Sequence, residues 1–271
     1  MNKIKISIVI PTYNREKKVL NTIKSVINTF NKHCEYEIII VDDNSSDNTL
    51  SELNRYFNKE IKDGLINIFI NEKNLGVTGS RNKGFFYAKN KWVFFLDSDD
   101  ELISKNWNQI LESLCINTDS PMVFFRCVDE KNNFVGRKFN YEKKIEIDEY
   151  IQEGSYGEII CTINKKIIED IIPFEEELRG YEGLSLARII NKFGFAILSN
   201  VVARLYNCDG EDRLSVNSGF LKRMPLLAKG HFLMLKEFGK FMTFKNKSFY
   251  FIKAVLYYIV GNIYNFMKGK K

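Results

Sequence analysis

The chain has 271 residues, of which 45% are hydrophobic and 27% are charged, so it can bury a large core and is not an intrinsically disordered protein. Its formal net charge is +6, but residues 219–271 hold 11 Lys and Arg against one acid, Glu237, whereas the preceding 218 residues carry a net charge of −4. The five cysteines show no CxxC spacing, and the apolar run before Pro11 is too short for a signal peptide. A cytoplasmic protein without a zinc-finger site is therefore expected.

The first half of the sequence alternates predicted strands with predicted helices. Short β-branched runs predict strands at residues 4–10 and 36–41, and further apolar runs predict strands at 65–70 and 91–96. Helices are predicted between them, at 17–30, 47–57 and 78–89. This order indicates an α/β fold with a mostly parallel, doubly wound sheet. Because ligands of such sheets bind beyond the carboxyl ends of the strands, the residues at those ends are the functional candidates.

The pattern is weaker in the second half. Helices are predicted at 104–116, 164–172 and 183–194, and strands at 121–128 and 133–139. We find no internal repeat and no low-complexity linker. The chain is therefore divided into residues 1–103, residues 104–218 and the basic, aromatic tail 219–271, for which helical structure is expected.

Two strand ends suit a nucleoside. The first strand runs into Pro11, Thr12, Tyr13 and Asn14, where the ring can stack on a base that the polar groups hydrogen-bond; the alternative is an ordinary turn with a packed tyrosine. No GxGxxG follows this strand, which argues against a dinucleotide-binding oxidoreductase. After the second strand, Asp42–Asp43 can accept hydrogen bonds from a base or a ribose.

The fourth strand end is acidic. Asp97 and Asp99 stand at i and i+2, where two carboxylates can supply the hard oxygen ligands that Mg²⁺ and Mn²⁺ prefer. A lone D-x-D is a weak motif, and a solvated acidic turn is the alternative. Asp100 and Glu101 are interpreted as residues of the turn and of the approach to the next helix.

Taken in order, four segments resemble the nucleotide-sugar-binding half of the family 2 inverting glycosyltransferases, which have the GT-A fold. They are SIVIPTYNR, EIIIVDDNSSDNT, NLGVTGSRNKG and WVFFLDSDDEL, and the match covers residues 4–103. The resemblance implies that residues 1–103 bind the nucleotide sugar, through the four residues of the first strand end and through Asp43, Arg81, Asp97 and Ser98. It further implies that Tyr13 lies against the uracil and that Asp99, with Asp97, binds Mn²⁺ or Mg²⁺.

The family's second half supplies the acceptor site and a catalytic base, which assigns these roles to residues 104–218. The family pattern is E-D with an arginine six residues after the aspartate. Here Glu182 stands six residues before Arg188, with Tyr181 in place of the preceding glutamate. The resemblance implies that Glu182 is the base; the alternative is a residue that only caps the following helix. Relatives carry a histidine near the metal that is absent here, and Asp209 or Asp212 is a candidate replacement.

The implied activity is transfer of a sugar, with inversion, from a UDP-linked donor to a glycan or lipid-linked glycan in bacterial surface polysaccharide synthesis. The alternatives are a metal-dependent nucleotidyltransferase, although PTYNREKK lacks its glycine-rich loop, and a catalytically degenerate nucleotide-sugar-binding protein. The tail 219–271 is expected to lie on the anionic inner face of the cell membrane, without spanning it. Alternatively it packs on the catalytic domain or on a second subunit, as in a homodimer. No nucleic-acid recognition motif accompanies its charge.

Overall fold

The structure is a computed structural model, and it describes residues 4–30, 34–137, 139–153, 156–207 and 217–268. The four strands expected in the first half are confirmed as β1 (Ile4–Thr12), β2 (Cys34–Asp42), β3 (Ile66–Ile70) and β4 (Trp92–Phe95). The helices between them are α1 (Lys18–Thr29), α2 (Thr49–Tyr56), α3 (Asn58–Lys62) and α4 (Gly76–Tyr87).

The second half adds shorter elements. Its strands are β5 (Glu101–Leu102), β6 (Met122–Val128), β7 (Lys143–Ile145), β8 (Ile159–Asn164) and β9 (Ala196–Leu205). Its helices are α5 (Trp107–Ile116), α6 (Ile147–Glu153) and α7 (Glu182–Phe193), and the tail forms α8 (Asn217–Phe238) and α9 (Phe244–Lys268).

Across the described residues, nine strands form one sheet. Eight of them lie in the order β3-β2-β1-β4-β8-β6-β9-β5, and β7 pairs with β9. The first four strands are parallel, whereas β8 runs antiparallel to both β4 and β6. The mixed α/β architecture with a largely parallel first half is confirmed, and a single sheet joins both halves of the chain. The carboxyl ends of β1, β2 and β4 therefore meet at one edge.

Helices cover both faces of the sheet. On one face, residues of alternating register such as Ile8 and Ile38 pack with α1 and α5, and on the other Val9 and Ile39 pack with α4 and α7. Because both faces are buried, the strands read as continuous apolar runs that end abruptly in polar residues. The sheet thus supplies a rigid platform for its polar carboxyl edge.

Two predicted elements of the second half are wrong. The described part of 133–139 forms only isolated bridges, at Phe134 and Gly136, because the guanidinium of Arg126 binds this segment through the carbonyl of Arg137 and the ring of Phe139. The segment 164–172 is a series of turns rather than a helix. There Lys165 leaves the helical path and donates to carbonyls at the end of α4.

The two tail helices pack against each other, and α8 is built more deeply into the core of the domain than α9, from which Tyr250 packs against the same core cluster. Met234 and Phe238 of α8 join a third cluster with Ile151 of α6 and Leu184 of α7. In α9, by contrast, many large apolar side chains are exposed. Within the described residues, none of the helices is both long and apolar enough to cross a bilayer.

Candidate active site

The predicted strand-end residues meet at one edge of the sheet. In the β1–β2 register Thr12 lies beside Asp42, and the backbone N of Asp43 donates to the carbonyl of Thr12 at 2.8 Å. The backbone N of Leu96, just before the D-x-D segment, donates to the carbonyl of Val9 at 3.0 Å. After β3, the backbone N of Asn71 donates to the carbonyl of Asp42 at 2.8 Å, so all four strand ends of the first half lie side by side.

The end of β1 separates buried from accessible groups. Pro11 and Thr12 are buried, whereas Tyr13 is 47% exposed, so its ring is accessible to a ligand. Asn14 has a left-handed backbone with φ of 51° and accepts a hydrogen bond from the backbone N of Ser46 at 2.8 Å. The Asn14 side chain therefore ties the first strand end to the second, a role that its sequence position does not reveal.

Asp43 is buried and anchors α4. Its Oδ1 accepts hydrogen bonds from Nδ2 of Asn71 and from the backbone N of Leu75, both at 2.7 Å. Its Oδ2 accepts one from the backbone N of Gly76, also at 2.7 Å. The negative charge thus sits at the N-terminus of α4, where unpaired N–H groups favour it. A carboxylate accepts about four hydrogen bonds, so one position on Asp43 is left for a ligand.

Arg81 lies between the D-x-D segment and Glu182. It projects from α4, its Nη2 donates to Oδ1 of Asp97 at 2.5 Å, and its Nη1 lies 3.8 Å from Oε1 of Glu182. Burial opposes the charge of this guanidinium, but the two carboxylates outweigh that effect and raise its pKa. Arg81 therefore links Asp97, which the sequence assigns to the nucleotide-sugar half, with Glu182, which it assigns to the acceptor half.

The acidic residues of the D-x-D segment have different partners. Asp97 lies between Arg81 and Arg204, and although burial opposes its charge these two cations lower its pKa. Ser98 is buried between the two aspartates. Asp99 lies 3.8 Å from Arg15, and its pKa is raised by burial and by the charge of Asp97, against the opposing charges of Arg15 and Lys18. Its negative charge is therefore the less well compensated of the two.

Asp100 closes the turn that the sequence predicts, because its backbone N donates to the carbonyl of Asp97 at 3.1 Å, and its side chain is buried. Its Oδ2 lies 3.0 Å from Nη1 of Arg204, and its Oδ1 accepts a hydrogen bond from the backbone N of Asn207 at 3.1 Å. Burial raises its pKa to about 7, against the opposing charge of Arg204. This pair holds the end of β9 against the acidic segment. The sequence interpretation of Asp100 missed it, since the partners are more than one hundred residues apart.

The D-x-D carboxylates suit a divalent cation. Within the described residues, no group of three or more His, Cys, Asp and Glu side chains is clustered for metal binding. Mg²⁺, however, is commonly held by one or two carboxylates together with substrate phosphates. Asp99, whose negative charge is poorly compensated, suits the role of a carboxylate that binds such a cation, and Asp97 lies beside it. The two aspartates proposed to replace the missing histidine, Asp209 and Asp212, lie outside the described residues.

Glu182 is the first residue of α7 but does not cap that helix. Its Oε1 accepts a hydrogen bond from the backbone N of Gly180 at 3.2 Å, which lies before the helix, and no side-chain cap is formed at its N-terminus. The carboxylate therefore turns toward Arg81 and the D-x-D segment. This position is compatible with a role in chemistry. Glu182 is also the acidic residue of the first turn of α7, where negative charge is favoured.

Helix α8 forms a wall beside Glu182. The hydroxyl of Tyr181 pairs with Nδ1 of His231 at 2.8 Å, and burial lowers the pKa of His231 to about 4, which keeps it neutral near pH 7. Arg188 binds both carboxylate oxygens of Glu237, at 2.8 and 2.7 Å. Tyr181, which stands where the expected sequence pattern has a glutamate, thus helps to dock α8 on α7. Glu237, the only acid of residues 219–271, does the same. The docking of α8 agrees with the alternative expectation that the tail packs on the catalytic domain, although the sequence does not predict these contacts.

Comparisons with known proteins agree with this geometry. The family model for glycosyl transferase family 2 matches residues 7–172. The chain is 30% identical to the GalNAc(5)-diNAcBac-PP-undecaprenol β-1,3-glucosyltransferase of Campylobacter jejuni, over 79% of this chain and 68% of that protein. It is 28% identical to the UDP-Glc:α-D-GlcNAc-diphosphoundecaprenol β-1,3-glucosyltransferase of Escherichia coli, over 69% of this chain and 72% of that protein.

Solved structures support the fold. Residues 1–349 of Staphylococcus aureus TarS, in complex with UDP-GlcNAc, match with a TM-score of 0.64 and 19% identity over 84% of this chain. The match covers 66% of that structure, slightly less than two thirds of its length. A mannosyltransferase from Pyrobaculum calidifontis, in complex with GDP-Man and Mn²⁺, matches with a TM-score of 0.68 and 13% identity over 97% of this chain and 74% of that one.

Proposed function

Because the chain belongs to glycosyl transferase family 2, we propose that it transfers a sugar from a UDP-linked donor to a hydroxyl of a lipid-linked or polymeric glycan in bacterial polysaccharide synthesis. The observation that carries the proposal is the position of Arg81, in contact with Asp97 and 3.8 Å from Glu182. Asp97, at the diphosphate end of the proposed donor site, and Glu182, which can deprotonate an acceptor, therefore lie on either side of one guanidinium. This arrangement suits a displacement at the anomeric carbon of the donor, where the acceptor oxygen replaces the diphosphate.

The proposed reaction is a single displacement with inversion. Glu182 takes the proton of the acceptor hydroxyl as the new bond to the anomeric carbon forms, and the bond from that carbon to the donor phosphate oxygen breaks. Arg81 stabilises the negative charge that develops on the departing diphosphate. Asp99, with Asp97 beside it, would hold Mn²⁺ or Mg²⁺, which neutralises charge on the same diphosphate.

The proposed nucleoside site lies at the ends of β1 and β2. Tyr13, half exposed, would stack on the uracil, and Asp43 would use its one remaining acceptor position for the base. The hydroxyl of Thr12 is buried and lacks a hydrogen-bond partner among the described residues, so a polar ligand atom there would satisfy it. Pro11, Asn14 and Ser98 are assigned to shaping this site rather than to direct contacts.

We expect the melting temperature of the protein to rise most with one UDP-sugar in the presence of Mn²⁺. A ligand that binds only the folded state stabilises it by about 2.7 kcal/mol at a concentration one hundred times its dissociation constant, which is a shift of several degrees for a protein of this size. Thermal denaturation with a panel of UDP-, GDP- and dTDP-sugars, with and without Mn²⁺, measures this directly. If no nucleotide sugar changed the melting temperature, the proposed activity would be excluded.

We also propose that the outer face of α9 lies on an anionic membrane, which places the protein at the inner face of the cell membrane. Ile252, Leu256, Ile259 and Ile263 recur at helical spacing and each is at least half exposed. Helix α9 contains lysines but no acid. An apolar stripe flanked by cations fits a surface of anionic lipid headgroups, and each lysine near such a surface contributes about 1 kcal/mol.

Replacing Lys245, Lys247 and Lys253 together with glutamate is expected to weaken binding to anionic vesicles by more than tenfold, since three favourable charges become repulsive. Co-sedimentation with phosphatidylglycerol vesicles measures the bound fraction. A triple glutamate variant at Lys59, Lys62 and Lys105, which are exposed on other elements, is the control for net charge. Equal loss of binding by both variants would contradict a surface formed by α9.

A further inference from the structure

The segment that leads into Glu182 is attached to two different helices. On one side Asn82 of α4 exchanges two hydrogen bonds with the backbone of Phe174, at 2.8 and 3.0 Å. On the other side Tyr181, the residue directly before α7, contacts α8 through its ring and its hydroxyl. Because Arg81 belongs to α4, the position of Glu182 relative to that guanidinium depends on both attachments.

The ring of Tyr181 lies directly on the backbone of α8. A Cβ atom at Gly230 would come to 2.5 Å from Cγ of this ring and to 2.6 and 2.9 Å from its two Cδ atoms, closer than such atoms approach in proteins. Since Cγ is the ring atom nearest the main chain, a side chain at position 230 would displace the turn itself and not only the tip of the tyrosine. Glycine at this position therefore allows the close contact.

His231 holds the other end of the tyrosine. Its Nδ1 lies 2.8 Å from the hydroxyl of Tyr181, and the rings of Tyr250 and Tyr257 of α9 surround the imidazole, with centroids at 5.3 and 5.6 Å. Burial and then the charge of Lys253 lower the pKa of His231 to about 4, so the ring is neutral near pH 7 and can accept a hydrogen bond at Nδ1. The tyrosine is thus fixed at both its face and its tip.

We propose that Tyr181 is a positioning residue: helix α8 fixes its ring, and the ring in turn keeps the carboxylate of Glu182 where it takes the proton of the acceptor. The inference rests on the proposed function, in which Glu182 is the base. The carboxylate has only long contacts with its surroundings, 3.2 Å to the backbone N of Gly180 and 3.8 Å to Arg81. Its position is therefore determined by the backbone that carries it, and an error of about 1 Å in a reacting group can cost about 100-fold in rate.

The alternative is that Tyr181 only docks the tail helix. Other contacts also hold α8, since Arg188 binds both carboxylate oxygens of Glu237, at 2.8 and 2.7 Å, and Lys229 pairs with Glu177 at 2.6 Å. We therefore expect α8 to stay docked when the hydroxyl of Tyr181 is removed. A change in turnover without a loss of binding then reports on the position of Glu182.

The assay is release of UDP by the full chain from the UDP-sugar that raises the melting temperature most, with water as the acceptor, because it needs no identified glycan. Tyr181→Phe keeps the ring and removes the hydroxyl. We expect it to lower kcat about tenfold, with the KM of the donor and the affinity for UDP unchanged. His231→Leu should have the same effect. His231→Asn, whose side chain can place an acceptor at the position of Nδ1, should be at least about threefold faster than His231→Leu.

Gly230→Ala separates position from stability. Alanine favours a helix more than glycine does, so α8 should not be weakened by this change. The added Cβ would nevertheless displace the ring of Tyr181, and we expect kcat to fall at least about tenfold. Gly239→Ala, just after α8, is the matched control: a Cβ there would meet no atom within 4 Å, and kcat should change less than twofold.

Combination of Tyr181→Phe with Glu182→Gln decides the question, and single-turnover measurements with enzyme in excess keep the slow variants measurable. If the tyrosine acts through Glu182, its replacement should lower the rate less than twofold once the carboxylate is gone. An equal tenfold loss in both backgrounds, or a wild-type kcat for Tyr181→Phe alone, would overturn the inference. Near-normal turnover of Glu182→Gln alone would instead overturn the assignment of the base in the proposed function, on which the inference rests.

Discussion

Replacing Glu182 with glutamine is expected to lower the turnover number by about 10²- to 10⁴-fold, the usual contribution of general base catalysis, while the affinity for UDP stays nearly unchanged. Glutamine keeps an oxygen that can accept the hydrogen bond from Gly180, which Glu182 receives at 3.2 Å, so the turn should keep its shape. An amide, however, cannot take the proton of the acceptor hydroxyl. Initial rates at saturating donor and acceptor, together with calorimetric binding of UDP, measure both quantities.

The matched control for this variant is Glu177→Gln. Glu177 lies five residues before Glu182 in the sequence and is exposed. It pairs with Lys229 at 2.6 Å, away from Arg81. Its loss should change turnover by less than twofold. Near-normal turnover of the Glu182→Gln protein would show that another group, or solvent, accepts the proton.

Replacing Asp99 with asparagine is expected to remove the stabilisation by Mn²⁺ and to lower the rate of transfer at least about 100-fold, since metal-assisted charge stabilisation amounts to several kcal/mol. Asp99 is the D-x-D carboxylate with the weaker local compensation, its nearest cation being Arg15 at 3.8 Å. An amide keeps the size of the side chain but not the charge that a hard cation requires. The melting temperature with UDP-sugar, recorded across a Mn²⁺ titration, measures the loss.

Glu101→Gln is the control for Asp99→Asn, because Glu101 is exposed and lies only two residues further along the chain. It removes one negative charge from the same segment without touching the proposed ligand pair. We expect this variant to keep its response to Mn²⁺. An Asp99→Asn protein that bound Mn²⁺ and donor as tightly as the wild type would rule out Asp99 as the metal ligand.

The parts of the fold that were predictable from sequence are those with local, periodic signals. The apolar runs of β1, β2 and β4 predict three parallel strands because buried strands are apolar throughout, and their polar ends identify Tyr13, Asp43 and the D-x-D segment. The errors fell where side chains from distant parts of the chain determine the structure. Arg126, for instance, keeps the described part of 133–139 out of the sheet.

Long-range contacts also explain what was missed in the site. The pair formed by Asp100 and Arg204 leaves no trace in the local sequence, which predicts only the turn at Asp100. The composition of residues 219–271 is basic and aromatic, and it predicts a single unit. The structure divides it, since Glu237 and His231 dock α8 beside Glu182 whereas the apolar stripe of α9 stays exposed.

The shared position of Arg81 bears on the kinetic scheme of the enzyme. Its guanidinium lies at 2.5 Å from Asp97 and at 3.8 Å from Glu182, so the closer carboxylate holds it. A donor diphosphate that binds this cation would draw it away from Glu182, whose carboxylate is then free to take the proton of the acceptor. Donor binding would then complete the environment of Glu182, and steady-state kinetics should follow an ordered mechanism in which the nucleotide sugar binds first and the nucleotide leaves last.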